Sequence, residues 1–262
     1  MKQTIDVVLP LVETVVYRSH LLDRKVYYSV IEPQPLREVA GKRSVLYLLH
    51  GLFGSYQNWA ANTDILKYAR EQKFIIVCPD AGDGWYTDNP ATPNHLFESY
   101  ILNEIIPDAE KRFDCGGERK KRAIAGISMG GYGAFKFAFR RPEMFCFAAS
   151  MSGAFHAAEI GDDERRQEAV PSIKAVFGED KDLRSRNSLL KMAADDSNRD
   201  DLPAFYFDCG TGDDFIEVNE NFSRLLSEQS ISHDFMRKPG GHDWAYWDAN
   251  LQNIIQIAGK HI

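Results

Sequence analysis

Cysteine is scarce in this chain, and its arrangement argues against the common cysteine-based sites. The 262 residues include four cysteines, Cys78, Cys115, Cys146 and Cys209, and no two of them form a C-x-x-C pair. A zinc or dithiol centre is therefore disfavoured. We expect four free thiols in a reducing compartment, and a protein that works without a metal ion or an organic cofactor.

Long hydrophobic runs and a surplus of positive charge are also missing. No apolar run is long enough to span a membrane, and Met1 to Pro10 lacks the apolar core and the cleavage site of a signal peptide. The formal net charge is −7, from 31 basic and 38 acidic residues, whereas binding to nucleic acid needs a clustered positive field. These absences predict a soluble, cytoplasmic protein without a membrane or nucleic-acid partner.

The composition that remains is typical of a well-packed globular protein. Hydrophobic residues make up 44% of the chain and aromatic residues 12%, which is enough for a sizeable core. The length suits one large α/β domain, and no repeat, low-complexity tract or clear linker divides the chain. We therefore predict a single domain over residues 1–262. The pattern leaves open whether the protein forms a homo-oligomer.

Short runs of β-branched and aromatic residues alternate with longer stretches at helical spacing. Strands are predicted at 14–19, 25–30, 44–49, 74–78, 122–127, 148–151, 204–209 and 233–237, and helices at 63–72, 99–112, 132–140, 217–229 and 245–260. The first two strands indicate an antiparallel pair. The later alternation of strand and helix predicts a mostly parallel, doubly wound sheet, with its chemistry at the carboxyl ends of the strands.

The stretch from 154 to 202 departs from this alternation. It is rich in charge, notably at 162–166, and contains no convincing strand. We interpret it as a helical insertion between two strands. Two interpretations remain open. The insertion could be a lid over the active site, or a solvated excursion without a function.

The strongest motif is Gly126-Ile127-Ser128-Met129-Gly130. It lies between a predicted strand and an apolar helix, which is the context of a nucleophilic serine on a sharp turn. Glycine is needed on both sides of the serine because such a turn is crowded. A helix that starts here also favours a developing negative charge. The motif predicts that Ser128 is a nucleophile.

A serine nucleophile needs a general base, and His242 is the best candidate among the seven histidines. It lies on a glycine-rich loop after the last predicted strand, from which it could reach Ser128. The others have less suitable positions: His20, His233 and His261 at the surface or in a strand, His95 and His156 where they could line a pocket, and His50 at a strand end. For His50 we expect a structural or oxyanion-shaping role.

The base in turn needs a carboxylate, which in this chain order falls between the serine and the histidine. Asp213 and Asp214 both follow the strand predicted at 204–209. We favour Asp213 as the acid and keep Asp214 as the alternative, with a capping or supporting role for whichever is not the acid. Asp208, inside the strand, is a weaker candidate.

Acyl transfer also needs backbone N–H groups to bind the oxyanion of the tetrahedral intermediate. Met129, directly after the nucleophile, supplies one. The second is expected in the loop after an early strand, where His50-Gly51-Leu52 makes Leu52 the candidate.

With these motifs, the chain resembles the esterase D-like branch of the α/β hydrolases. That branch includes S-formylglutathione hydrolases, feruloyl and tributyrin-type esterases, and mycolyltransferases. The resemblance covers nearly the whole chain and rests on His50-Gly51-Leu52 with Trp59 downstream, Asp83 to Asp88, Gly126 to Ala134, Gly210 to Asp213 and Gly241 to Trp244. It implies the α/β-hydrolase fold, a triad of Ser128, Asp213 and His242, and an oxyanion hole of Leu52 and Met129. The doubled Asp213-Asp214 and the 154–202 insertion depart from the pattern of the branch.

Within that branch, Gly241 to Trp244 with Trp247 nearby is more similar to the feruloyl and tributyrin-type esterases. The expected activity is hydrolysis of short-chain acyl or aryl esters through an acyl-enzyme. Substrate contacts are expected from His50, Trp85, Tyr86 and Trp244, although Trp85 and Tyr86 could equally pack loops together. The alternatives are an S-formylglutathione hydrolase, an acyltransferase and, more remotely, a non-catalytic binding module.

Overall fold

The computed structural model describes residues 10–33, 41–160, 170–195 and 201–262. Within these ranges one sheet of eight strands runs through the protein. Its strands are β1 (Leu11–Ser19), β2 (Arg24–Glu32), β3 (Val45–Leu49), β4 (Ile75–Pro79), β5 (Arg122–Ile127), β6 (Phe147–Met151), β7 (Ala204–Gly210) and β8 (His233–Lys238). All lie close to the strands predicted from the sequence.

The order of the strands across the sheet is β1-β2-β4-β3-β5-β6-β7-β8. β1 pairs with β2 and β2 with β4 in antiparallel fashion, and the remaining neighbours are parallel. The predicted N-terminal antiparallel pair and mostly parallel sheet are therefore confirmed. Because β4 and β5 lie on opposite sides of β3, the strand order reverses there, and the carboxyl ends of β3 and β5 are where a ligand site is expected in such a sheet.

The described α-helices are α1 (Asn58–Asn62), α2 (Ile65–Ala69), α3 (Phe97–Tyr100), α4 (Ile106–Arg112), α5 (Met129–Arg140), α6 (Val170–Phe177), α7 (Lys181–Asn187), α8 (Leu189–Ala194), α9 (Ile216–Glu228) and α10 (Trp244–His261). The helix predicted at 99–112 includes a π-helical turn, Ile101–Ile105. Pro107 follows that turn and has no N–H to continue the helical ladder.

The prediction of one helix at 63–72 was wrong in its extent. Thr63 is extended and separates α1 from α2. Its hydroxyl donates to the carbonyl of Trp59 at 2.5 Å and accepts the N–H of Ile65 at 3.3 Å. A side chain that bonds the local backbone in this way competes with a continuous helix.

The sheet is buried on both faces, as its parallel strands require. In β3, Val45, Tyr47 and Leu49 face one hydrophobic core, and Leu46 and Leu48 face the other. Helices α4, α5 and α9 pack on the first face and α2 and α10 on the second. No described helix is both long enough and apolar enough to cross a membrane.

Helices α6, α7 and α8 form the described part of the insertion between β6 and β7, which confirms its helical character. Ile173, Phe177 and Leu189 are buried in the same core as α5. This part is therefore packed, and is not a solvated excursion. The charged run at 162–166 lies outside the described residues, and a lid role for the insertion stays a prediction.

Candidate active site

Ser128 occupies a strained turn between β5 and α5. Its backbone has φ 51° and ψ −115°, a region that costs a residue with a side chain about 1–3 kcal/mol. The turn is held by hydrogen bonds from the Ser128 N–H to Met151 (3.0 Å) and from the N–H groups of Tyr132 and Ala154 to the Ser128 carbonyl (3.1 Å each). Such strain persists only where the surrounding structure enforces it.

The glycines on either side of Ser128 are required by space. A Cβ atom at position 126 would overlap the backbone carbonyl of Gly130, and one at position 130 would overlap the carbonyls of Leu49 and His50. Only glycine lets β5, α5 and the end of β3 approach one another this closely. The serine thereby lies at the carboxyl end of β5, where the strand order reverses.

Ser128, His242 and Asp213 are brought together in one hydrogen-bonded chain. His242 Nε2 lies 3.1 Å from Ser128 Oγ, and His242 Nδ1 lies 3.0 Å from Asp213 Oδ2 and 3.1 Å from Oδ1. An ionised carboxylate only accepts hydrogen bonds, so the proton is assigned to Nδ1 and Nε2 is free to accept from the serine hydroxyl. The Asp213 side chain is fully buried, whereas 31% of the His242 side chain is exposed.

Asp213 is held in its ionised form despite its burial. Burial by itself raises the pKa of this carboxyl, but hydrogen bonds from His242 and Ser152, together with the charge of His242, outweigh it and lower the pKa. The N–H of Phe215 also donates to Asp213 Oδ1, at 2.7 Å. Asp213 can therefore orient the imidazole and stabilise its protonated form.

The two alternative carboxylates occupy different surroundings. Asp214 is exposed, and α9, which follows, has no side-chain cap at its N-terminus. Asp208 is buried in β7, where it accepts hydrogen bonds from Tyr246 (2.8 Å) and Lys238 (2.9 Å). Burial raises the pKa of Asp208. Of these three carboxylates, Asp213 is the one in contact with His242.

The loop His50–Gly54, called here the oxyanion loop after the role predicted for Leu52, lies beside Ser128. A Cβ atom at position 51 would be 3.5 Å from the Ser128 Cβ. The Gly51 carbonyl accepts from the Gly54 N–H (3.1 Å) and from His50 Nδ1 (2.8 Å). In a trans peptide the N–H points away from the carbonyl, so the Leu52 N–H faces the opposite side. Within the described ranges, neither this N–H nor that of Met129 donates to a protein acceptor.

His50 is a buried, neutral residue that fixes the oxyanion loop. Its Nε2 accepts the Ala81 N–H at 2.9 Å, so Nδ1 carries the proton that it donates to the Gly51 carbonyl. Burial lowers the pKa of His50. Both ring nitrogens form hydrogen bonds with backbone atoms. This fits the expected oxyanion-shaping role and leaves neither nitrogen for a hydrogen bond to a substrate.

The three aromatic residues expected to contact substrate are packed against the protein. Trp85 is buried and donates from Nε1 to Ser172 Oγ of α6 at 2.9 Å. Tyr86 is buried and donates its hydroxyl to the His50 carbonyl at 3.0 Å. Trp244 is half-buried and lies edge-on to Trp59 and Trp247. These contacts favour the loop-packing interpretation of Trp85 and Tyr86.

Sequence reasoning missed three residues around the His242–Asp213 pair. The rings of Phe215 and Trp247 flank the imidazole, with centroids 4.7 Å and 5.1 Å away. Trp247 Nε1 donates to Ser152 Oγ at 3.2 Å, and Ser152 in turn bonds Asp213. The one available signal was that Ser152 directly follows β6, at the carboxyl edge of the sheet.

Three other histidines contact different partners, and one of them lies near the site. The His156 ring contacts Phe215, with centroids 5.4 Å apart, and the His95 ring packs on Phe97. His233 Nε2 lies 2.8 Å from a serine hydroxyl of α9. In the part of the chain that the structure describes, no group of three or more His, Cys, Asp or Glu residues could hold a metal ion.

Comparisons with known proteins find esterases among the relatives of this chain. The family model "Putative esterase" matches residues 19–256. An acetyl esterase of Caldicellulosiruptor saccharolyticus is 26% identical over 226 residues, which cover 82% of this chain and 83% of that protein. An esterase of Mycobacterium tuberculosis is 28% identical over 247 residues, and the match spans about half (52%) of its length.

Solved structures share the fold over almost the full length. A ferulic acid esterase superimposes with a TM-score of 0.80 at 28% identity, covering 97% of this chain and 100% of that one. The fluorophosphonate-binding serine hydrolase F of Staphylococcus aureus gives 0.83 at 26% identity, covering 95% and 98%. An S-formylglutathione hydrolase of the same organism gives 0.78 at 26% identity, covering 95% and 99%. These matches confirm the predicted α/β-hydrolase fold.

Proposed function

This chain belongs to the Putative esterase family and is a serine carboxylic ester hydrolase, and from that premise we propose that it cleaves short-chain acyl or aryl esters through a Ser128–His242–Asp213 triad. The observation that carries the proposal is the continuous hydrogen-bonded chain from Ser128 Oγ through His242 to Asp213. That arrangement supplies a nucleophile, a base and an orienting acid in the geometry that acyl transfer needs.

In the first half of the proposed reaction, Ser128 Oγ attacks the ester carbonyl carbon while His242 Nε2 takes the hydroxyl proton. The carbonyl oxygen becomes an oxyanion, which the N–H groups of Leu52 and Met129 stabilise. Collapse of this tetrahedral intermediate breaks the bond to the alcohol oxygen. The alcohol leaves with the proton from His242, and the acyl group remains on Ser128.

Water completes the cycle. It gives a proton to His242 as its oxygen attacks the acyl carbon, and a second tetrahedral intermediate forms in the same oxyanion hole. Its collapse releases the carboxylic acid and returns the proton to Ser128. Asp213 stays ionised throughout, consistent with its lowered pKa, and stabilises the imidazolium at each step.

The proposed substrate class rests on two relatives of different preference. One relative is named an acetyl esterase, which favours a short acyl group. A structural neighbour is named a ferulic acid esterase, which favours an aryl substituent. The proposed substrate class therefore covers esters with a small acyl group and esters with an aromatic substituent.

A thioesterase acting on S-formylglutathione is the second candidate. It is favoured by the 26% identity to the S-formylglutathione hydrolase structure, and the same triad would serve it, with a thiol in place of the alcohol. An acyltransferase would differ only in the second half, where an alcohol replaces water. A non-catalytic binding module is disfavoured because the hydrogen-bonded chain is intact.

The test is a set of rates on matched substrates, with Ser128→Ala as the background control. We expect the highest kcat/KM on p-nitrophenyl acetate or on a feruloyl ester, and a fall along the p-nitrophenyl series from acetate to decanoate. The kcat/KM for S-formylglutathione should be at least about tenfold lower. A thioester rate above all ester rates would favour the thioesterase, and an ester product formed with added alcohol would favour the transferase.

A further inference from the structure

A second loop, residues 80–86, holds the oxyanion loop in place. His50 Nε2 accepts the Ala81 N–H at 2.9 Å, and the Tyr86 hydroxyl donates to the His50 carbonyl at 3.0 Å. Between these two contacts, the carboxylate of Asp83 accepts the Phe53 N–H at 2.9 Å. The 80–86 loop therefore forms hydrogen bonds with residues on both sides of Leu52, His50 and Phe53.

Phe53 needs such a contact because its backbone conformation is unfavourable. Its φ is +60°, a region that residues with a side chain rarely adopt and that persists only where neighbours enforce it. The side chain gives little help, since it is 66% exposed. The hydrogen bond to Asp83 is the described contact that fixes the orientation of the Leu52–Phe53 peptide.

From these contacts we propose that Asp83 is a positioning residue for the oxyanion hole, an inference that rests on the proposed function. The peptide before Leu52 is fixed by the bonds of His50 and Gly54 to the Gly51 carbonyl. The peptide after Leu52 is fixed by Asp83. With both neighbouring peptides fixed, the Leu52 N–H keeps one direction, and the hole is formed before substrate arrives.

Loss of the Asp83 carboxylate would release only the second of these peptides. Phe53 could then relax to a negative φ, and the relaxation would move Gly54, whose N–H helps to hold the Gly51 carbonyl. The Leu52 N–H would then be displaced from the position in which it stabilises the oxyanion of the transition state. Asp83 is itself exposed, so its replacement should leave the fold intact.

The effect of the hydrogen bond that Asp83 accepts can be separated from the effect of its negative charge. A negative charge near the site opposes the developing oxyanion, whereas an acceptor for the Phe53 N–H supports it. Asparagine keeps a carbonyl acceptor and removes the charge. Asp83→Asn should therefore retain activity and Asp83→Ala should lose it.

The experiment compares Asp83→Ala and Asp83→Asn with Asp88→Ala. Asp88 is the matched control because its carboxylate also accepts a backbone N–H, that of Ser99 at 3.0 Å. We would measure kcat and KM with p-nitrophenyl acetate, melting temperatures, and calorimetric affinity for phenylboronic acid, which forms a tetrahedral adduct with a serine nucleophile.

For Asp83→Ala we expect kcat to fall about tenfold and KM to stay within about threefold, since the lost hydrogen bond acts on the transition state. Affinity for the boronic acid should fall by a similar factor. Asp83→Asn and Asp88→Ala should stay within about threefold of wild type in every value. Unchanged kcat in Asp83→Ala, a loss confined to KM, or an equal loss in Asp83→Asn would overturn the inference.

The boronic acid separates this inference from the proposed function. Its affinity is measured without turnover, so a wild type that binds it but hydrolyses no ester would count against the proposed function, and the comparison of variants would still stand. A wild type that does not bind it would overturn both, because Ser128 would then not act as a nucleophile.

Discussion

Helix α5 carries two polar networks, and they differ in access. At its N-terminus, Ser128 contacts His242, whose side chain is partly exposed, and a strained backbone presents the serine hydroxyl. Two turns along, Lys136 is fully buried and its ammonium lies 3.0 Å from Glu98 and 2.7 Å from Thr87 Oγ1. Both networks contain ionisable groups beneath the surface, but one is open to a reactant and the other is closed.

The two networks also differ in how their hydrogen bonds are used. Around Lys136, the carboxylate of Glu98 is shared with Arg140, and the side chain of Asn187 accepts from both Lys136 and Arg140. In the Ser128 network, His242 Nε2 keeps a position from which it can accept a proton. Access and an available acceptor, more than burial or charge, therefore distinguish the proposed reactive network from the structural one.

The largest effect that would test this contrast is that of Ser128→Ala. We expect a fall in kcat of about 10⁵-fold or more, because the nucleophile acts as a unit with its base. Stability should change little, since among the described residues the hydroxyl has a single hydrogen-bond partner, His242. Steady-state kinetics, labelling with a fluorophosphonate probe and thermal melting would check this, and residual turnover above a hundredth of wild type would contradict the triad.

Asp213→Asn is expected to come next, with a loss in kcat of about 10⁴-fold, because asparagine cannot hold the imidazole tautomer that accepts the serine proton. Asp214→Asn is the matched control and should keep kcat within about threefold of wild type. Parallel kinetics of the two variants would decide the assignment. The reverse pattern would make Asp214 the acid.

For the closed network, Lys136→Met should reduce the free energy of unfolding by about 2–4 kcal/mol, because it leaves the buried Glu98 carboxylate with one cation fewer. The specific activity of the folded enzyme should stay within about threefold of wild type. Lys67→Met, at an exposed ion pair, is the control and should cost under about 1 kcal/mol. Urea unfolding would measure the stability of both variants. A loss of activity in Lys136→Met without a loss of stability would contradict a purely structural role for the Lys136 network.

The smallest predicted effect is a pH dependence. Burial lowers the pKa of Lys136 from 10.5 to about 8, even though Glu98 opposes this. Between pH 8 and 10 the unfolded chain binds more protons at this residue, so wild-type stability should rise with pH relative to Lys136→Met, by about 1–2 kcal/mol. Urea unfolding of both proteins at several pH values would measure the difference. A difference that shrinks with pH would mean that Lys136 keeps its proton in the folded state.

The positions of the strands along the chain and the neighbourhood of Ser128 could be anticipated because they follow from local patterns. The glycines of the elbow mark the crowded turn around Ser128, and the glycine-rich loop before His242 marks the strand end from which it reaches across. The ambiguity between Asp213 and Asp214 could not be settled from the sequence, since both follow the same strand. One residue of register decides which side chain turns towards the imidazole.

What the sequence did not reveal depends on contacts between distant segments. Nothing near Asp83 indicates that it bonds Phe53, thirty residues earlier in the chain. In the same way, Trp85 looked suited to a substrate pocket until Ser172 of the insertion proved to be its partner. Such pairings depend on how loops meet in space, and no local periodicity encodes them.

The attachment of the insertion to α5 has a consequence for engineering. Asn187, at the end of α7, accepts the Tyr132 hydroxyl through its carbonyl and the Lys136 ammonium through its side chain. The insertion and the helix that begins after Ser128 therefore share one set of hydrogen bonds. A foreign insertion grafted at 154–202 would have to reproduce the acceptors of Asn187, so the insertion cannot be exchanged without an effect on the stability of α5.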